Sequence, residues 1–334
     1  NNPEKKEDNL IDVLTTKKVY VTNPIVIIKK ITMKKIIRTP ENRFENLKDY
    51  NFSSNYIDVE EGLRLHYLDE GSIDKPIVLL LHGEPTWSYL YRKMIPMLSS
   101  NFRVIAPDLI GFGKSDKLVN REDYTYQKHM EWVSTFIQKL GLKDIILFCQ
   151  DWGGLIGLRI ITETENRFSM VIASNTTLPT GRMPMPETFM KWREYSQHSP
   201  KFNIGKVIDM GTIQPLSEKV IDAYNAPFPS EDYKVGARIF PTLVPIDHDD
   251  PESVKNLQAW EKLKHWNKPF LTIFGAEDDI MIGAEKVFQN LVPGAKAQNH
   301  KIINAGHFIQ EDKGEELAEL IIEFHKNNTA NNRV

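Results

Sequence analysis

Two hydrophobic rhythms share the first half of the chain. Residues 56–59 and 63–69 flank the polar turn Glu60-Glu61-Gly62, a layout that predicts an opening β-hairpin. Residues 76–81 are almost continuously apolar, as in a strand covered on both faces of a sheet. Tyr91, Met94 and Leu98 then recur on one face at helical spacing, predicting a helix over 88–98. Further strands are expected at 103–106, 145–149 and 170–175. Further helices are expected at 125–140, stopped by Gly141, and at 155–161. Strands that alternate with helices in this way predict a doubly wound, mostly parallel α/β sheet.

The rhythm breaks after residue 175. From 176 to 266 prolines punctuate the chain, among them Pro179, Pro184, Pro200, Pro227 and Pro251. Only short helical pieces are expected there, such as 187–195 and 217–224. This stretch reads as a helical cap inserted over the carboxyl ends of the strands, where open α/β sheets bind their ligands. The alternation resumes with a strand at 269–274, a helix at 284–291, a strand at 301–303 and a helix at 314–327. The expected organisation is therefore a core in two parts, 33–175 and 267–327, interrupted by the cap. Residues 1–32 are expected to be a poorly ordered extension that adds little to the fold, and 328–334 a frayed tail.

The chemistry starts where the 145–149 strand ends, at Gln150-Asp151-Trp152-Gly153-Gly154. A strand entering a glycine-bracketed turn and leaving as a helix is the layout of a nucleophile elbow. Glycine permits the strained backbone and the close packing such a turn requires. The apex here is Asp151, not a serine. Serine attacking a saturated carbon would leave an ether, which resists water; aspartate leaves an ester, which water cleaves. An aspartate apex thus suits displacement at alkyl carbon followed by ester hydrolysis. The alternative is that Asp151 merely caps the helix that follows.

Partners at the right places favour the first reading. His307, in Ala305-Gly306-His307-Phe308 after the last strand, occupies the position of the base. An orienting acid usually follows one of two strands. The first such place holds Asn175, which carries no charge. The second holds Gly275-Ala276-Glu277-Asp278-Asp279, where the spacing favours Asp278 over its neighbours. Backbone N–H groups of Glu84 and Trp152 are the expected oxyanion donors. The dipole of the elbow helix should help keep Asp151 ionised.

Composition narrows the partners. The 334 residues are 41% hydrophobic and 26% charged, with a net charge of −3. That balance offers no general attraction to nucleic acid or to an anionic membrane. Cys149 is the only cysteine, so no internal disulfide forms and a cytoplasmic setting is expected. No apolar run reaches transmembrane length. The acidic stretch Asp247-His248-Asp249-Asp250 reads as a solvated loop, and the chemistry needs neither metal nor cofactor. A monomer is expected.

The run from His82-Gly83-Glu84-Pro85-Thr86-Trp87 to Met94, with Gln150-Asp151-Trp152-Gly153-Gly154, resembles the haloalkane dehalogenases. So do Ala226-Pro227-Phe228-Pro229 and Phe240-Pro241 in the cap. The resemblance spans residue 33 to the last helix and implies an α/β-hydrolase fold. It implies Asp151 as nucleophile, His307 as base and Asp278 as acid. It further implies halide held by the indoles of Trp152 and of the cap residue Trp192, since Glu84 stands where another branch of the family carries a halide-binding Asn. Indole N–H suits an anion because it only donates and sits on a bulky apolar ring. Matched positions imply an apolar pocket of Leu155, Phe189, Phe240, Pro241, Val244 and Ile280. The reaction implied is conversion of haloalkane to alcohol, halide and proton through an alkyl-aspartyl ester. Epoxide hydrolase is the rival activity, sharing the triad but needing acids in the cap for the epoxide oxygen. A non-catalytic small-molecule receptor on the same fold is the rival of another class, against which the complete triad counts.

Overall fold

Eight strands form one sheet in a computed structural model that describes residues 34–330 and the short strand Leu10–Ile11. In chain order they are β1 (Asn55–Glu60), β2 (Leu63–Glu70), β3 (Ile77–Leu81), β4 (Arg103–Pro107), β5 (Ile145–Gln150), β6 (Phe168–Ser174), β7 (Phe270–Gly275) and β8 (Lys301–Ile303). Across the sheet they run β1-β2-β4-β3-β5-β6-β7-β8. β1, β2 and β4 pair antiparallel in succession, and every other pairing is parallel. The apolar runs explain the order. All six residues of β5 and all six of β7 are buried, whereas the edge strand β1 buries only Val59. Fully buried Leu, Ile and Val side chains contribute roughly 1.5–3 kcal/mol each, so the most apolar strands take the middle. A small antiparallel ribbon joins Leu10–Ile11, Ile36–Ile37 and Lys117–Leu118. The rest of the expected 1–32 extension and residues 331–334 lie outside the described residues.

The helices α1 (Ile95–Leu98), α2 (Tyr126–Lys139) and α3 (Trp152–Glu163) cover the first part of the sheet. The helix expected over 88–98 is not continuous. Ser88–Tyr91 is a separate 3-10 turn, and α1 starts afresh with Pro96 in its first turn. Proline can open a helix but cannot supply the N–H that would continue an earlier one. α2 begins where Thr125 Oγ1 accepts from the Lys128 N–H at 3.0 Å and stops before Gly141, whose φ is +64°.

Between β6 and β7 lie five helices: α4 (Glu187–His198), α5 (Ile204–Met210), α6 (Glu218–Asn225), α7 (Val235–Leu243) and α8 (Pro251–Leu263). Three of them, α5, α7 and α8, are not among the pieces singled out from the sequence. α8 is set by its cap: Asp250 Oδ1 accepts from the Glu252 N–H at 2.8 Å, with Pro251 in the first turn. The acidic run before α8 therefore ends as a capping turn. α9 (Ala284–Leu291) and α10 (Ile309–Ala330) complete the chain. α10 starts earlier than residue 314 because a turn before the kink at Lys313 is helical too. It also runs through residues 328–330 of the expected tail, where Asn328 Nδ2 donates to the Phe324 carbonyl at 2.9 Å.

Candidate active site

The elbow between β5 and α3 holds Asp151 at φ 51° and ψ −125°. Such a conformation costs a non-glycine residue about 1–3 kcal/mol and persists only where the surroundings enforce it. They do so here. A Cβ on Gly153 would stand 2.0 Å from the Leu81 carbonyl oxygen, and one on Gly154 would stand 2.0 Å from Thr176 Oγ1. The Asp151 N–H donates to the Asn175 carbonyl at 3.0 Å, and Thr176 Oγ1 donates to the Asp151 carbonyl at 2.8 Å. The Asp151 side chain makes no capping bond to α3, so the helix-cap alternative fails. Its Oδ1 instead accepts from the Glu84 N–H at 2.7 Å, across the loop that follows β3. That approach is possible because Gly83 has no side chain: a Cβ there would lie 2.4 Å from Asp151 Cβ.

His307 stands in the loop between β8 and α10. Its Nδ1 is 2.9 Å from Asp278 Oδ2, and its Nε2 is 3.5 Å from Asp151 Oδ2. Asp278 is buried, while Glu277 and Asp279 beside it are exposed, so spacing and geometry select the same acid. Burial alone would raise the Asp278 pKa. The His307 charge, its hydrogen bond and the N–H groups of Ile280 and Met281 outweigh this and hold it below the usual carboxylate range. For His307, burial alone would lower the pKa; Asp278, and then Asp151, overcome it and raise it to about 10. At neutral pH the resting imidazole is thus a cation between two carboxylates. Asn175 is not idle at the vacant acid position. Its Nδ2 donates to the carbonyls of Gly306 and His307 at 2.9 and 3.0 Å, and its Oδ1 accepts from the Gly275 N–H at 2.8 Å. An uncharged amide there fixes the loop that carries His307.

These groups open onto a cavity of about 180 Å³ with mostly apolar walls. Trp152 and Trp192 both line it, as do Leu155, Phe189, Pro241, Val244 and Ile280. Phe240 does not. It stands behind Trp152, ring centroids 4.4 Å apart, and also packs on Phe112 and His129. In α7 one residue's rotation separates the wall from the layer behind it, and Pro241 takes the wall. Sequence reasoning missed Met185, Val207, Met210 and Phe308 among the lining residues. Val207 and Met210 belong to α5, whose seven residues offer too little periodicity to be read.

The Glu84 side chain lines the same cavity, nearly fully buried, and its carboxyl oxygens have no hydrogen-bond partner among the described residues. Burial, and then the charge on Asp151, push its pKa well above the usual range. The Trp192 indole comes near enough to favour the charged form slightly without reaching hydrogen-bond geometry. Burial in this pocket floor therefore disfavours the charged form of Glu84. Burial also pushes the Cys149 thiol up, which leaves it inert behind the elbow.

Residues 76–314 match the alpha/beta hydrolase fold family. The chain is 54% identical over 300 residues to a haloalkane dehalogenase of Psychrobacter cryohalolentis, covering 88% of this chain and 99% of that one. It is 50% identical over 296 residues to a haloalkane dehalogenase of Mycolicibacterium paratuberculosis, covering 87% and 98%. Among solved structures, the tetrameric haloalkane dehalogenase DpaA from Paraglaciecola agarilytica NO2 superposes with a TM-score of 0.81 at 37% identity, over 86% of this chain and 97% of that one.

Proposed function

The chain belongs to the haloalkane dehalogenases and converts haloalkanes to alcohol, halide and a proton; from that premise we propose the residues that do so. Asp151 displaces the halide in line from an alkyl carbon and carries the alkyl group as an ester. The indole N–H groups of Trp152 and Trp192 hold the departing anion, so the carbon–halogen bond breaks without a proton donor. His307 then takes a proton from water as it attacks the ester carbonyl carbon, with Asp278 holding the imidazole. The N–H groups of Glu84 and Trp152 receive the oxyanion, the first of them already bonded to Asp151 Oδ1. Collapse of the tetrahedral intermediate returns Asp151 and frees the alcohol. The observation that carries this reading is the convergence of Asp151, His307 and both indoles on one small apolar cavity.

Residues 176–266 serve in this reading as a cap that supplies Trp192, Phe189, Pro241 and Val244 to the pocket, along with Val207 and Met210. A monomeric catalytic unit is supported by a site complete within one chain; sedimentation of the purified protein reads this directly. A cytoplasmic setting is supported by the single, buried Cys149. Among the described residues no helix is long and apolar enough to cross a membrane.

Incubation with 1,2-dibromoethane and 1-bromobutane is expected to release halide and alcohol in equal amounts, and styrene oxide to remain unchanged. Diol from styrene oxide without halide from either bromide would overturn the proposed chemistry. A second measurement isolates the cap indole. A hydrogen bond to a charged group is worth about 1.5–3 kcal/mol, so Trp192→Phe is expected to weaken bromide binding about 10- to 100-fold, read by quenching of the remaining tryptophan fluorescence. Unchanged affinity would remove Trp192 from the halide site.

A further inference from the structure

The loop that carries His307 is bonded to the cap as well as to the core. The Phe308 N–H donates to the Gly211 carbonyl at 3.2 Å, at the end of α5. The two loops touch backbone to backbone. A Cβ on Gly306 would lie 2.4 Å from the Gly211 carbonyl oxygen, and one on Gly211 would lie 2.6 Å from the Phe308 ring. A carboxylate fastens this contact. Asp312 Oδ2 accepts from the Gly306 N–H at 2.8 Å, and both its oxygens accept from the Ile213 N–H, at 3.1 and 3.2 Å. Asp312 lies in the first turn of α10, where a carboxylate also suits the helix dipole. That role would account for the Gly306 bond at the helix start. It does not account for the Ile213 bond, which reaches 99 residues back along the chain into the cap.

The cap side is braced by its own hydrogen bonds. Asp209 Oδ1 accepts from the Leu216 N–H at 2.7 Å, and Thr212 Oγ1 bonds the carbonyls of Asp209 and Gln214 at 2.9 and 2.8 Å. A shift of the α5–α6 connection therefore reaches Ile213, then Asp312, then Gly306, the residue before His307. At the start of the same connection Gly211, beside Met210 at the end of α5, lines the cavity.

We propose that Asp312 is a positioning residue for the ester-hydrolysis step, tying the α5–α6 connection of the cap to the loop of His307. The inference rests on His307 being the base of that step. Displacement of halide by Asp151 does not use the imidazole as a base, so the tie acts on the second half-reaction alone. Aspartate suits the task because both its oxygens accept. Asparagine would turn an N–H toward one of the two backbone donors.

Rapid-quench kinetics of Asp312→Asn with 1,2-dibromoethane test this. The halide burst is expected to keep its amplitude and rate. Hydrolysis of the alkyl-enzyme is expected to slow about tenfold, the scale of a small misplacement of a reacting group. The acid limb of that step is expected to move to lower pH, because an imidazole less well held against Asp278 is a weaker base. A merely structural role would lower both steps together and leave the limb in place; that result, or two unchanged rates, overturns the proposal. His307→Gln, run alongside, separates the two inferences. Failure of that variant to stall removes the base, whereas a stall there with a normal Asp312→Asn removes only the tie. If Asp312→Asn does not fold, amide exchange in the unaltered protein decides. The Gly306 and Ile213 amides are expected to be protected and to slow together when bromide binds. Free exchange at Ile213 beside a protected Gly306 would show that no tie exists.

Discussion

Asp151→Ala releases no halide from any haloalkane, to within a residual rate on the order of 10⁶-fold below the unaltered enzyme, the scale seen when a covalent nucleophile is deleted. The reason lies in what the rest of the site supplies. Trp152 and Trp192 line the cavity; in the proposed chemistry they stabilise a departing anion but do not attack carbon. Glu84 also lines the cavity, but its burial, and then the charge on Asp151, disfavour its charged form. A neutral acid is a poor nucleophile. With Asp151 gone the chief charge that raises the Glu84 pKa is gone too, yet burial, the larger cause, remains. Glu84 therefore does not take over. The fold should survive, because the change removes only the bond from the Glu84 N–H and the 3.5 Å ion pair with His307 Nε2. Halide release by ion chromatography over hours, with bromide binding as the control for an intact pocket, checks both halves. Release at more than about a hundredth of the normal rate would mean that Asp151 is not the group alkylated.

The site was more legible in the sequence than the cap around it, and the difference is geometric. Asp151, His307 and Asp278 each follow a strand by a few residues. Strand ends in a parallel sheet converge on one edge, so position along the chain translates into position in space. Asn175 was correctly read as uncharged, but its service to the His307 loop depends on carbonyls 131 and 132 residues away, which no local pattern reveals. Phe240 and Pro241 show the limit on a helix. Both were placed in the wall, but one residue of rotation put Phe240 behind Trp152. Val207 and Met210 stayed hidden because α5 is two turns long and α6 must be placed before α5 has anything to pack on. The break over 88–98 was legible in principle, since Pro96 was in view, but the apolar face of Tyr91, Met94 and Leu98 outweighed it.

His307→Gln separates the two half-reactions. One equivalent of halide per site is expected, followed by a stall, with steady-state turnover at least about 10³-fold down, as befits loss of a base. Mass spectrometry should find the alkyl group on Asp151. The protonation of His307 explains why the first step survives. In the resting enzyme burial favours the neutral ring, but Asp278 and then Asp151 raise its pKa to about 10. The imidazolium cannot act as a base, and displacement needs none. Alkylation removes the Asp151 charge 3.5 Å from Nε2, and with it part of what raised the pKa. The base thus becomes available when the ester has formed. Ester hydrolysis in the unaltered enzyme should fall on the acid side, with an apparent pKa below about 10, while the halide burst shows no such limb. The burst of His307→Gln should also be flat in pH. Stability carries the same signature with a definite sign. A histidine whose pKa is raised from 6.5 to about 10 on folding stabilises the fold fully below 6.5, and that contribution is lost as pH rises toward 10. Glutamine cannot titrate, so the melting temperature of His307→Gln should lose this fall between pH 6.5 and 10. Continued turnover at the normal rate would take the base role from His307, and a stall without an alkylated Asp151 would place the block before the ester.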